Sequence, residues 1–263
     1  MSDNEYPTGI GTSDPDRISL LGRDLATEVL GQVGFVELAY WLATKRRPTP
    51  GQLRVFDAVL VALADHGFTP TAISARMTYY SAPESVQGAI AAGLLGGGSR
   101  FLGVTEDTGM YLSELLAEVD DHASFDDDAW DELAREAVAR ASVKATRIPG
   151  LGHPIHKHGD PRTPVLLRIT REVGVYGPHL SLLEAIGRVH SPIIGRRLPL
   201  NGAGVSGAAL VDAGLPVELL RGFALLARTA GLIGHLAEER IAPIAPMIYA
   251  EVDGHAVYRP VDG

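Results

Sequence analysis

Residues able to do chemistry concentrate in one stretch. From Arg147 to Arg162 the chain reads Arg-Ile-Pro-Gly-Leu-Gly-His-Pro-Ile-His-Lys-His-Gly-Asp-Pro-Arg, which gathers His153, His156 and His158 with Lys157, Asp160 and Arg162. An imidazole titrates near neutrality and moves protons, and a guanidinium meets a carboxylate through two parallel N–H bonds. The combination suits acid–base work on an acidic substrate. Pro149, Pro154 and Pro161 bar a regular helix, while Gly150, Gly152 and Gly159 permit tight turns and close approach of a ligand to the main chain. The stretch reads as a shaped loop; the plain alternative is a polar surface linker with incidental histidines.

Other polar clusters carry less. Asp120-Asp121-His122 and Asp126-Asp127-Asp128 fit neither a calcium loop nor a zinc triad, and Ser124 or Asp126 is expected to cap a following helix. Gly96-Gly97-Gly98 lacks the Lys-Ser/Thr of a phosphate-binding loop and follows no strand signal. Asp65-His66-Gly67 has the composition of a helix end, and Lys45-Arg46-Arg47 that of a solvated last turn.

These residues need a scaffold, and 263 residues at 46% hydrophobic content supply a sizeable core. The net charge of −9 argues against a sequence-wide affinity for nucleic acid or anionic membrane, so an anionic ligand requires a local basic pocket. Without cysteine there is no disulfide, thiolate metal site or thiol nucleophile. No apolar run reaches membrane-spanning length and the N-terminus lacks a signal-peptide pattern, which predicts a cytoplasmic protein.

The elements themselves follow from periodicity. Apolar residues recur at helical spacing over 25–42, with a break at Gly31 and Gly34, and over 53–64; 71–80 and 83–95 are rich in small residues that allow close helix packing, and 105–145, 164–173, 177–190 and 216–239 read as further helices. Residues 1–16 are polar and turn-rich and are expected to fray. With no sustained period-two alternation, the prediction is an all-α architecture.

On these residues the chain resembles citrate synthase and the citryl-CoA lyase module of ATP-citrate lyase. Arg147-Ile-Pro-Gly-Leu-Gly-His153 is similar to that family's V/I-P-G-x-G-H loop, and Asp160-Pro161-Arg162 to the D-P-R after it. Ala64-Asp65-His66 resembles A-D-H-E, with glycine in place of the acid. Gly93 to Phe101 resembles the lyase version G-L-L-x-x-G-D-R-F, and Ala227 to His235 the A-R-T-x-G-x-x-x-H motif. The resemblance runs from about Asp24 through most of the chain.

It implies a citrate synthase-like homodimer of all-helical subunits. The large domain would comprise 17–105 and 205–263, and a smaller inserted domain 106–204. The substrates implied are an acyl-CoA and a keto acid, whose C–C bond is made or broken; the CoA ester is a substrate, and no cofactor stays bound. CoA would lie against Ile148, Gly150, Leu151 and Gly152, and the acid against His66, Arg100, Arg162, Arg228 and Asn201. His153 would polarise the keto oxygen, with His156 or His158 for proton transfer. The histidine spacing could hold zinc, but the resemblance already accounts for the loop, so no metal is expected. Departures matter as much. The family's enolising aspartate, in N-V-D-G-A, falls on Ala203, and a second family histidine falls near Leu102. Pro154 replaces a common arginine, and the C-terminal Arg-Pro that reaches the partner's site has no counterpart between Arg240 and Pro246. Two alternatives follow: a CoA-ester-binding protein without turnover, and a CoA-thioester hydrolase.

Overall fold

The computed structural model describes residues 5–260. Eleven α-helices among them carry the fold: α1 (Phe35–Thr44), α2 (Pro50–Ala64), α3 (Pro70–Ser81), α4 (Val86–Leu95), α5 (Val104–Ala117), α6 (Asp127–Val143), α7 (Arg162–Glu172), α8 (Pro178–Ile194), α9 (Gly202–Asp212), α10 (Leu220–Glu239) and α11 (Ala245–Gly254). Local chemistry sets their starts. Thr49 caps α2 in a reciprocal box with Gln52, Pro50 occupying the first turn where its missing N–H costs nothing. Thr69 and Asp126 cap α3 and α6 by accepting from Ala72 and Ala129 N–H. The all-α expectation holds, and the break at Gly31 and Gly34 separates a single π-helical turn, Leu25–Val29, from α1.

The N-terminal expectation needs correction. Gly11–Ser13, Ile18–Leu20 and Arg23–Asp24 pair as a three-stranded antiparallel meander. Asp14 accepts the N–H groups of Asp16 and Arg17 to shape the first turn, and Leu21-Gly22 turn at positive φ to make the second. Strands of three residues or fewer are too short to print an alternation, which is why periodicity missed them. The part of that stretch at 1–4 lies outside the described residues.

α10 is the axis, packing on α2, α3, α4 and α5, while α6 pairs with α8 and α5 with α9. The main core runs from Tyr40 and Phe56 through Leu112, Leu183, Ile186, Leu210 and Phe223, drawing on both segments that the resemblance assigns to separate domains. A second, smaller core of Ala72, Ala75, Ala89, Leu232 and Leu236 joins α3, α4 and α10, where small side chains allow close approach. No described helix is long and apolar enough to cross a membrane.

Candidate active site

The Arg147–Arg162 stretch is the connection from α6 to α7, and its glycines are used. Gly150 and Gly152 both have positive φ, +86° and +82°, a conformation that side-chained residues resist. The turned backbone then bonds to the segment before α9: Gly152 N–H donates to Pro199 O at 2.7 Å and Asn201 N–H to Gly150 O at 2.9 Å. Asn201, expected to touch substrate, spends its side chain here. Its Nδ2 donates to Gly152 O at 2.8 Å, and its Oδ1 accepts Gly204 N–H at 2.8 Å as the cap of α9. Ile148 is buried in the core, anchoring the lip that Leu151 and Gly152 expose.

At the end of the lip three imidazoles meet. His153 stacks on His66 with ring centres 5.5 Å apart, and His156 lies 4.5 Å from His153 and 5.6 Å from His66. His66, from the end of α2, takes the third place that spacing had offered to His158, which is exposed. The three rings have donor atoms within 4.8 Å of one another, as a metal site would. The hydrogen bonds oppose that use. Ile155 and His156 N–H both donate to His153 Nδ1, at 3.1 and 3.0 Å, so the ring proton sits on Nε2 and no lone pair is left there for an ion. His153 is a fixed N–H donor. Burial, with His156 close by, holds its imidazole below the ordinary range, outweighing the pull of Asp160.

A carboxylate–guanidinium pair adjoins this cluster. Asp160, fully buried, pairs bidentately with Arg162 (3.0 Å to Nε, 2.8 Å to Nη2), accepts Gly202 N–H at 2.7 Å and comes within 4.0 Å of His153 Nε2. Burial alone would raise the Asp160 carboxyl, but Arg162 and the two backbone donors hold it far below the usual range. Arg162 also donates to Ala62 O at 3.1 Å, tying α7 to α2. Gly202 makes this fit possible, since a Cβ there would stand 2.6 Å from Arg162 Nε. Arg228, on α10, is 5% exposed, yet its Nε and Nη1 have no hydrogen-bond partner. Asp65 lies 3.5 Å from Nη1.

Beyond the lip opens a cleft of about 640 Å³ lined by Lys157, His158, Arg188, Arg197, one acid, Glu184, and the Leu198-Pro199-Leu200 segment that pairs with the lip. Arg188 is committed to Asp131, whereas Lys157 and Arg197 have no ion pair among the described residues. Arg100 is exposed in the turn between α4 and α5 and likewise makes no ion pair there. Leu102 is buried and Ala203 half-buried, so neither departure position offers a polar group. Sequence reasoning missed Asp65 and the basic cleft as parts of the site. Asp65 was visible inside Ala64-Asp65-His66; Arg197 had no local signal, because only the fold brings it beside Lys157.

The chain has relatives among known proteins. The profile described as "Citrate synthase, C-terminal domain" matches residues 21–248. Citrate synthase of Deinococcus radiodurans is 27% identical over 208 residues, covering 75% of this chain and 50% of that protein. The chain thus spans about half the length of the curated relatives it first matches. Among solved structures, citryl-CoA lyase from Hydrogenobacter thermophilus superposes with a TM-score of 0.83 at 26% identity, covering 99% of this chain and 96% of that one. ATP citrate lyase from Methanosaeta concilii, in complex with (3S)-citryl-CoA, gives 0.79 at 20% identity, covering 100% of this chain and 43% of that one, and supports the fold. Because the matching profile runs from the N-terminal meander through the lip and Arg228 into α11, the chain belongs to the citrate synthase family.

Proposed function

We propose that this protein makes or breaks the C–C bond between an acyl-CoA and a keto acid, as a citryl-CoA lyase or a citrate synthase does. The observation that carries the reading is Arg228: a buried guanidinium with free donors, facing Asp65 next to His66 in the chain, demands an anion. The acid's carboxylate binds Arg228, flanked by Arg162 and His66. His153 directs its Nε2–H at the oxygen that is a hydroxyl on the joined molecule and a keto group on the separated one. His156, with its ring centre 4.5 Å from that of His153, accepts or returns that oxygen's proton. In the cleavage direction the electron pair of the broken bond passes to the thioester as an enolate, which gains a proton to give the acyl-CoA. With Ala203 at the family's carboxylate position, His156 or water supplies that proton.

CoA lies along the Gly150–Gly152 lip, and its phosphates reach Lys157 and Arg197 in the adjoining cleft, the local basic pocket that an acidic protein needs for such a ligand. In this reading 106–204 form the small domain bearing the lip, and the subunit works as a homodimer. Exposed apolar side chains on α4, α10 and α11, among them Leu95, Ile233, Met247 and Val252, are available to a second copy. Arg240 to Pro246 offer no counterpart of the family's C-terminal Arg-Pro; we assign that role to Arg259-Pro260, on an exposed tail beyond α11.

Incubation with citryl-CoA, followed by mass spectrometry, tests the proposal: acetyl-CoA and oxaloacetate should appear, and His153→Ala should abolish them. A second reading draws on Leu102 and Ala203. If CoA esters bind but neither cleavage nor synthesis occurs, the chain is a CoA-ester-binding protein.

A further inference from the structure

The state of Arg228 needs a cause. Asp65 Oδ1 stands 3.5 Å from its Nη1, within ion-pair range but beyond the roughly 2.7–2.9 Å of a charge-assisted N–H···O bond. Asp65 has a 48% exposed side chain on a short turn, and Coulomb attraction would draw it the rest of the way. It is held back from two sides. Oδ1 accepts from His235 Nε2 at 2.9 Å, and Oδ2 accepts Gly67 N–H at 2.8 Å.

His235 can act only as a donor toward Asp65. Arg76 Nε–H donates to its Nδ1 at 3.1 Å, which places the ring proton on Nε2. Arg76 is fully buried and cannot turn away: Nη1 donates to Glu239 at 2.8 Å, and Nη2 bonds Glu238. Glu239 in turn accepts the N–H groups of Ile244 and Ala245, at 3.0 and 2.9 Å, where α11 begins. A chain of fixed hydrogen bonds thus runs from α11 through α3 and α10 to the end of α2.

We propose that His235 is a positioning residue that keeps Arg228 open, restraining the Asp65 carboxylate so that the ligand's carboxylate, and not Asp65, takes the free guanidinium donors. The inference rests on the reading that Arg228 binds a carboxylate. It adds that Asp65 is a latent competitor for that position, disabled by its anchor. Remove the anchor and the site should close on itself.

Citrate binding measured by calorimetry on the full chain tests this. His235→Ala should weaken citrate about tenfold, the scale of one charge-assisted bond that the ligand must displace. Adding Asp65→Ala in the same background should restore affinity to within about threefold of the unaltered protein, a rescue that a merely structural role for His235 would not give. Asp65→Ala alone should bind citrate at least as tightly as the unaltered protein, and it keeps the test valid if His235→Ala fails to fold. His235→Gln, whose amide can still donate to Asp65, should stay near the starting affinity. Weak binding by Asp65→Ala, or a double variant as weak as His235→Ala, overturns the proposal. Arg228→Ala separates the two levels: undiminished citrate binding there removes the underlying carboxylate reading itself.

Discussion

At the scale of single residues, the site is governed by where protons are fixed. His153 accepts two backbone N–H groups at Nδ1, so it presents Nε2–H and works as a donor. Protonation would put a hydrogen on Nδ1 and break both bonds, which agrees with the lowered imidazole set by burial and His156. The sign of the pH effect follows. Above about 6.5, the ordinary value, His153 is neutral folded or unfolded and contributes nothing; below it the unfolded chain takes up the proton first, so stability falls with falling pH until the lowered native value is passed. Histidine NMR should place the His153 midpoint below 6.5, and the melting temperature should drop less between pH 7.5 and 5.5 in His153→Asn than in the unaltered protein. A midpoint at or above 6.5 would contradict the assigned tautomer.

At the scale of elements, the lip works because α9 comes unusually close. A Cβ at Gly204 would stand 2.3 Å from Gly150 Cα, a backbone contact that no rotamer change relieves. Gly204→Ala should therefore cost about 1–3 kcal/mol of stability by denaturant unfolding and weaken CoA-ester binding, with citrate affinity little changed because Arg228 lies on α10. Equal loss for both ligands would show that lip and acid site are not separable. The same helix marks the limit of what sequence reveals. The stretches that carry α1 to α8 and α10 read as helical, but Gly-Ala-Gly-Val-Ser-Gly-Ala-Ala at the head of α9 has no polar face to set a period, and its glycines read as a loop. The histidine loop, Arg162 and Arg228 were legible as motifs. The joining of His66 to His153 and His156, the commitment of Asn201 to the lip, and the cleft of Lys157 and Arg197 are products of tertiary packing, invisible to local spacing.

At the scale of the whole molecule, the proposed acid site offers few free donors from the residues around Asp65 and Asp160. Arg162 is bound up with Asp160, so Arg228 holds the free donors, while an acid with several carboxylates needs more. Arg259 sits on a tail with no partner of its own among the described residues, and a second copy could receive it. If each site borrows the partner's Arg259, then Arg228→Ala and Arg259→Ala damage the same site from different chains. Each variant alone should be inactive, yet mixing them equally under dissociating conditions and reassembling should restore about one quarter of full activity: half of the dimers are mixed, and each mixed dimer holds one site with both arginines intact. If Arg259 served its own subunit, each variant chain would lack one arginine in its own site and mixing would restore nothing. The recovered fraction therefore decides between an arginine supplied across the interface and one used at home, without requiring the substrate's identity beyond whichever CoA ester turns over.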